Sequence, residues 1–133
     1  MKFLTGFDKI ATYDESIEIT EGKWKAVATI EFCDTHIDGD DSYNLDQKIT
    51  GCSYEQQKIL VRARNAWFDN EWFYCGVVVT VSKNGIELGE DSLWGIECNY
   101  PDSNNSSLLL VANELIEGAL DDARATLIEL IAD

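Results

Sequence analysis

Positive charge is the scarcest property of this sequence. The 133 residues include 10 Lys and Arg against 25 Asp and Glu, which gives a formal net charge of −15. The shortage is greatest in residues 84–133, where Arg124 is the one basic residue beside eleven acidic ones. Phosphates repel such a surface, so direct binding of nucleic acid is disfavoured. A basic partner is attracted by it instead.

The usual signs of catalysis and of membrane insertion are also missing. The chain has a single histidine, His36, and neither a Gly-x-Ser-x-Gly motif nor a glycine-rich phosphate loop after a strand. No apolar run reaches the length of a membrane span, and the residues after Met1 do not resemble a secretory leader. These absences predict a cytoplasmic, non-enzymatic protein that needs no cofactor and contacts no membrane.

Closely spaced cysteine pairs are absent as well. The four cysteines Cys33, Cys52, Cys75 and Cys98 are far apart in the sequence. Cysteines so distributed in a chain without a secretory leader are predicted to be reduced thiols. Cys75 and Cys98 fall in strand-like stretches, where they are expected to fill sheet positions as small apolar side chains.

Two partial metal motifs share one loop. Cys33 and His36, with Cys52 further on, supply three zinc ligands where a structural site takes four. Asp34, His36, Asp38 and Gly39 match positions 1, 3, 5 and 6 of a calcium loop, but position 12 is Leu45. No dedicated metal site is predicted, and a zinc- or calcium-binding regulatory protein remains an alternative.

The stretch from Trp72 to Tyr100 organises the predicted fold. Residues 72–81 are rich in aromatic and β-branched side chains, which favour a strand. Asn84-Gly85 is the preferred pair for a tight hairpin turn. Residues 86–89 and 93–100 alternate apolar and polar side chains, with a second turn expected at residues 90–92. The sequence thus predicts a central three-stranded antiparallel meander, ending at Pro101.

The remaining chain predicts further strands and two helices. Residues 23–33 alternate as a strand, and Phe3-Leu4 and Ile17–Ile19 are candidate edge strands. Ser53 and Gln56 form a capping box that opens a helix running to about Phe68, with five residues facing the core: Ile59, Leu60, Ala63, Ala66 and Trp67.

A second, long helix is predicted after the polar loop 102–107. Its apolar stripe is Leu108, Val111, Ala112, Leu115, Ala119, Leu120, Ala123, Leu127 and Leu130. Gly118 lies in its middle and is unfavourable there unless something packs closely against it. The expected fold is a single α+β domain over residues 1–133, with an antiparallel sheet of four to five strands and both helices on one face.

Unrelieved negative charge marks the candidate partner-binding surface. Glu114, Glu117, Asp121 and Asp122 recur every three to four residues of the long helix, with Arg124 alone to relieve them. The candidate surface also includes the carboxylates Glu87, Glu90 and Asp91 near the meander turns and Asp38, Asp40 and Asp41 in the loop after Cys33. It could imitate the charge of a duplex, or be only a solvated helix face. An interaction module that docks through aromatic residues such as Trp94 or Tyr43 is another alternative.

The chain resembles, in kind, the small acidic proteins that phages and mobile elements carry against host defence, the anti-CRISPR and anti-restriction proteins. The resemblance rests on size, on the negative charge and on the Trp-Phe-Tyr-Cys-Gly-Val-Val-Val meander leading into Leu-Trp-Gly-Ile-Glu. It implies an inhibitor in the host cytoplasm that binds the basic, nucleic-acid-binding surface of a host nuclease or surveillance complex. Whether the inhibitor forms a homodimer is left open.

Overall fold

Four strands and two helices make up the described chain. The computed structural model describes residues 1–33 and 53–132. The elements are β1 (Ser16–Glu21), β2 (Trp24–Phe32), α1 (Tyr54–Phe68), β3 (Phe73–Lys83), β4 (Ile86–Cys98) and α2 (Ser106–Ile131). The strands form one antiparallel sheet in the order β1-β2-β3-β4. The predicted α+β class, with a four-stranded antiparallel sheet and a long C-terminal helix, is confirmed.

Alternation along the two central strands forms one apolar face of the sheet. Ala26, Ala28 and Ile30 of β2 are fully buried, and Ala26 pairs with Val81 of β3. Asn84 and Gly85 connect β3 to β4, and both have positive φ, as a type I′ turn requires. The predicted strand over residues 23–33 and the predicted hairpin turn are therefore confirmed.

β4 differs from the prediction, because no turn interrupts it at residues 90–92. It is a single strand of 13 residues that contains two irregularities in its register with β3. At one of them Trp94 and Gly95 both lie opposite Gly76, and Gly95 has a φ of 77°. This is a β-bulge, which bends a strand and increases its twist without ending it. Neither irregularity lies at residues 90–92, which pair in register with Val78, Val79 and Thr80 of β3.

The two helices pack on opposite faces of the sheet, so the prediction that they share one face is wrong. Successive side chains of a strand point to opposite faces. Phe73 and Cys75 of β3 belong to the core that α2 covers. Trp72 and Tyr74 pack instead with Ala66 and Trp67. Of the residues expected to face the core from α1, Ala63 and Ala66 are buried, whereas Ile59 is 62% exposed.

Helix α2 lies directly on the backbone of β4. A side chain at Gly89 would overlap the Ala119 carbonyl oxygen and the backbone of Ala123, so glycine lets the two backbones touch. Gly118 faces the Asp91 carboxylate, which is the close contact that its position in a helix required. Most of the predicted stripe is buried or half-buried, but Leu130 is 66% exposed and the fully buried Ile116 was not predicted.

The N-terminal segment extends along the core without forming the strand predicted at Phe3-Leu4. Phe3 is buried, and its backbone N–H donates to the Asn113 side chain at 2.8 Å. Further along, the Asn105 amide donates to the carbonyls of Asp8 (3.1 Å) and Lys9 (3.0 Å). Side-chain amides of the C-terminal half thus bind the backbone of this segment. They take the place of the backbone pairing that a strand would have made with an edge of the sheet. The predicted edge strand at Ile17–Ile19 is confirmed as β1.

Replacing Gly89 with alanine should destabilise the fold. The new methyl group would meet backbone atoms of α2, which no rotamer change can move aside. We expect the free energy of unfolding to fall by about 3 kcal/mol, measured by urea denaturation. Gly6→Ala is the control, because its methyl group would contact only Leu109 at ordinary distances. Equal stability of the two variants would contradict the close packing.

Replacing Asn105 with glycine should release the N-terminal segment. Asn105 is 2% exposed and has a φ of 58°, a conformation that glycine adopts freely. The substitution therefore removes the amide without adding backbone strain, and leaves buried backbone groups unpaired. We expect a loss of about 3 kcal/mol in urea denaturation. The exposed Asn104, with a φ of 57°, provides the matched control Asn104→Gly, which should change stability little.

Candidate partner-binding surface

Three of the predicted carboxylates form a row on the solvent side of α2. Glu114, Glu117 and Asp121 are exposed, whereas the residues on the other side of the helix, such as Ala112 and Ala119, are buried. At about 1.5 Å of rise per residue, the row covers roughly 10 Å of the helix axis. Because the opposite side of the helix is packed in the hydrophobic core, the direction in which these three side chains leave the backbone is fixed.

The row has apolar neighbours at both ends, which the sequence interpretation did not include. Leu110 is 66% exposed and Ile128 is 63% exposed. Their spacing from Glu114 and Asp121, four and seven residues, places all of them on one side of the helix. The solvent side of α2 is therefore acidic in the middle and apolar at each end, unlike a uniformly charged rod.

Asp122 lies beside this row and contacts the sheet. Its carboxylate accepts a hydrogen bond of 3.1 Å from the backbone N–H of Glu90. That N–H belongs to β4, which is an edge strand among the described residues, so that its outward groups have no described strand to pair with. Asp122 thus connects α2 to the edge of the sheet, and its role in the fold is separate from any role in binding.

Asp91 protects the same edge. Its carboxylate lies over Gly118 and accepts a hydrogen bond of 2.9 Å from the backbone N–H of Ser92. Together Asp91 and Asp122 occupy two backbone donors of β4 that another strand could otherwise use. This contact was not predicted, because the sequence analysis expected a turn at Asp91. Nothing in the sequence indicates that its carboxylate lies against Gly118 of the helix.

Of the other predicted carboxylates, some lie on β4 and the rest lie outside the described residues. Glu87 and Glu90 are exposed on β4, and the packing of α2 on β4 brings this strand and the acidic helix together. Asp38, Asp40 and Asp41 lie outside the described residues, and their place in the candidate surface stays a prediction. The surface that the structure assembles therefore comes from two elements, α2 and β4.

Few cations neutralise this surface. Arg124 approaches Asp121 at 3.8 Å, and both side chains are well exposed, so the pair contributes little to stability. Within residues 1–33 and 53–132, Glu114 and Glu117 have no ion-pair partner. The middle of the row is consequently open to a cationic partner.

The metal hypotheses fall largely outside the described residues. His36, Cys52 and the calcium-like loop belong to residues 34–52, which the structure does not describe, whereas Cys33 is buried. In the part of the chain that the structure describes, no cluster of three His, Cys, Asp or Glu side chains could hold a metal ion.

Cys75 and Cys98 form a buried thiol pair in the sheet, and both are fully buried, as predicted for small apolar fillers. The hydrogen bond between the two thiols raises the pKa of Cys75 far above its usual range, and burial adds to this shift. The same bond lowers the pKa of Cys98. Cys75 is therefore a poor nucleophile, in keeping with a packing role.

Most of the aromatic residues are structural, and Trp94 is an exception. The fully buried Trp72 donates its indole N–H to the Ala63 carbonyl at 2.8 Å. Trp94 covers Gly76 on the sheet and remains 47% exposed. Tyr43, the other aromatic anchor suggested by the sequence, lies outside the described residues.

Comparison with known protein families, curated proteins and solved structures finds no match. The resemblance to anti-defence proteins therefore remains a prediction. Neither helix of the described residues has the length and apolar composition needed to cross a bilayer.

Removing the Asp122 carboxylate should weaken the contact between α2 and the sheet edge. We expect Asp122→Ala to lower the free energy of unfolding by about 1 kcal/mol in urea denaturation. Asp122→Asn keeps an acceptor oxygen and should lose less. Glu114→Ala, which removes a carboxylate without a described partner, should lie within about 0.5 kcal/mol of the parent protein. Equal losses for Asp122→Ala and Glu114→Ala would contradict a structural role for Asp122.

Proposed function

We propose that this chain is a non-enzymatic binding protein that occupies the basic, nucleic-acid-binding surface of another protein. The proposal rests on the exposed row Glu114, Glu117 and Asp121. This row lies on a helix whose opposite side is packed in the hydrophobic core. In the complex, the carboxylates of this row would occupy positions on the partner that the phosphates of a nucleic acid otherwise occupy. The resemblance to anti-defence proteins suggests a host nuclease or surveillance complex as the partner.

The regular repeat of the row supports such mimicry. Neighbouring carboxylates are about 4.5–6 Å apart along the helix axis, which is wider than the 3.4 Å rise between phosphates of one DNA strand but of the same order. A basic groove that accommodates a polyanion attracts such a surface at long range and raises the association rate. The carboxylates of β4, Glu87 and Glu90, extend the negative surface beyond the helix.

A second candidate function is docking through β4 itself. Leu93 and Trp94 are each 47% exposed on this edge strand, and the rigid placement of Trp94 over Gly76 suits an interface anchor. Such a contact would depend on apolar burial and would respond little to salt. The two candidates therefore predict different ionic-strength dependences.

Reversing the charge of the row should abolish binding. The triple variant Glu114→Lys/Glu117→Lys/Asp121→Lys leaves Asp122 in place, so the contact with the sheet edge is preserved. Pull-down from a bacterial lysate, read by mass spectrometry, should recover basic nucleic-acid-binding proteins with the parent chain, and duplex DNA should displace them. We expect the triple variant to bind the recovered partner at least tenfold more weakly, a loss of about 1.4 kcal/mol.

A control variant with the same charge change distinguishes the row from net charge. Asp8→Lys/Glu31→Lys/Glu55→Lys alters three exposed carboxylates that lie outside α2 and β4, and should retain binding. Binding by the parent chain should also weaken steeply between about 0.05 and 0.2 M salt. Undiminished binding by the triple variant would show that the row is only a solvated face, and Trp94→Ala would then be expected to remove binding.

A further inference from the structure

Six aromatic side chains line a single cleft at the end of the sheet, where β2 ends and β3 begins. The cleft has a volume of about 360 Å³, and its aromatic wall consists of Tyr13, Phe32, Trp67, Phe68, Trp72 and Phe73. Asn70 is its polar lining residue. This volume is in the range of sites that hold small ligands or single side chains. None of these residues belongs to the acidic surface of α2 and β4.

Ring-to-ring contacts hold the wall in position. Tyr13 packs edge-on against Phe32, with ring centres 5.1 Å apart, and against Phe73 at 4.5 Å. Trp67 contacts the buried Trp72 at 4.9 Å. A site whose walls are already packed loses little conformational entropy when a ligand enters.

Several of these rings nevertheless remain open to solvent. Tyr13 is 47% exposed, Phe32 45% and Phe68 61%. Exposed apolar side chains are usually scattered singly over a surface, and a convergent group of them marks an interaction site. The stability of the core does not account for these three rings, because about half or more of each lies outside it.

Carboxylates lie next to three of the lining residues in the sequence. Among the described residues, no Lys or Arg lines the cleft. Asp14 follows Tyr13, Asp69 follows Phe68 and Glu71 precedes Trp72, and all three carboxylates are exposed. Glu71 also lines an adjoining hollow, which shares Tyr13, Asn70 and Phe73 with the cleft. The combination of aromatic faces and nearby carboxylates suits a cation.

We propose that this cleft binds an arginine side chain of a basic protein partner. A planar guanidinium group stacks on aromatic faces and is more weakly hydrated than an ammonium group, so arginine is favoured over lysine. The Asn70 amide oxygen in the cleft, and the Glu71 carboxylate in the adjoining hollow, offer acceptors for its N–H groups. Aromatic side chains also stack with nucleic-acid bases, but such sites include basic residues for the phosphates, and none of the described lining residues is basic.

The inference shares with the proposed function the premise of a basic partner, but it uses a different surface. The acidic row of α2 would attract a partner at long range without selecting among basic proteins. A cleft for one arginine would add selectivity at short range. Either contact can therefore exist without the other, and they can be tested separately.

The test uses a peptide of alternating Gly and Arg, with matched peptides in which lysine or the neutral citrulline replaces arginine. Tryptophan fluorescence of the intact chain, to which Trp67 and Trp72 of the cleft contribute together with Trp24 and Trp94, reports binding. We expect the arginine peptide to bind several-fold more tightly than the lysine peptide, and the citrulline peptide not to bind measurably. Phe68→Ala and Tyr13→Ala should each weaken the arginine peptide by roughly two- to thirtyfold, whereas Tyr13→Phe should retain most of the affinity.

Two controls separate the cleft from general attraction to an acidic protein. Leu110→Ala removes an equally exposed apolar side chain from α2 and should leave the arginine peptide unaffected. When Phe68→Ala is added to the triple variant Glu114→Lys/Glu117→Lys/Asp121→Lys, it should weaken binding of the arginine peptide by the same factor as it does in the parent chain. Circular dichroism checks that each variant is folded. Because Phe68 is 61% exposed, we expect its truncation to leave the core intact.

The proposal is overturned if the citrulline peptide binds as tightly as the arginine peptide, because the cleft would then be simply apolar. Unchanged binding by both Phe68→Ala and Tyr13→Ala would place the peptide elsewhere. Tighter binding of an oligothymidine than of the arginine peptide would assign the cleft to nucleic acid. Each of these outcomes leaves the result for the acidic row of α2 unaffected.

Discussion

The contact between the backbones of α2 and β4 at Gly89 is the constraint on which the acidic surface depends. Because Gly89 has no side chain, Ala119 and Ala123 lie directly on the strand. This approach brings the Asp122 carboxylate within 3.1 Å of the Glu90 N–H and places Asp91 over Gly118. With the helix fixed in this way, Glu114 can point only to solvent. A bulkier residue at position 89 would separate the two elements that form the surface.

The carboxylates of this surface have at least two different physical roles. Asp91 and Asp122 accept backbone hydrogen bonds from an edge strand, and so protect it against pairing with another chain. Glu114 and Glu117 make no comparable contact in the described residues, and their mutual repulsion is a cost to the fold. Net charge alone therefore overstates the number of groups available to a partner. The separation depends on what each oxygen contacts, which composition does not reveal.

Local pattern predicted most of the sheet, and tertiary contacts explain where it failed. Alternation located β2, the aromatic and β-branched composition of residues 72–81 located β3, and Asn84-Gly85 fixed the hairpin between β3 and β4. Residues 90–92 have the composition of a turn, but Asp122 and Asp91 satisfy their outward N–H groups, so the strand continues. The N-terminal segment was misassigned for a similar reason, because amides more than 90 residues away bind its backbone. Likewise, periodicity predicted the exposed acidic row but gave no sign of the aromatic cleft, whose residues come from three separate stretches of the chain: Tyr13, Phe32 and residues 67–73.

The acidic row and the aromatic cleft differ in the range over which they would act. Charges attract over about 8 Å at physiological ionic strength, so the row would influence how often a basic protein approaches. Stacking of a guanidinium group on Phe68 or Tyr13 requires direct contact, so the cleft would influence how long the partner stays. A row of carboxylates alone would bind many basic proteins weakly. A shaped cleft beside negative charge is the feature through which so acidic a chain could select one of them.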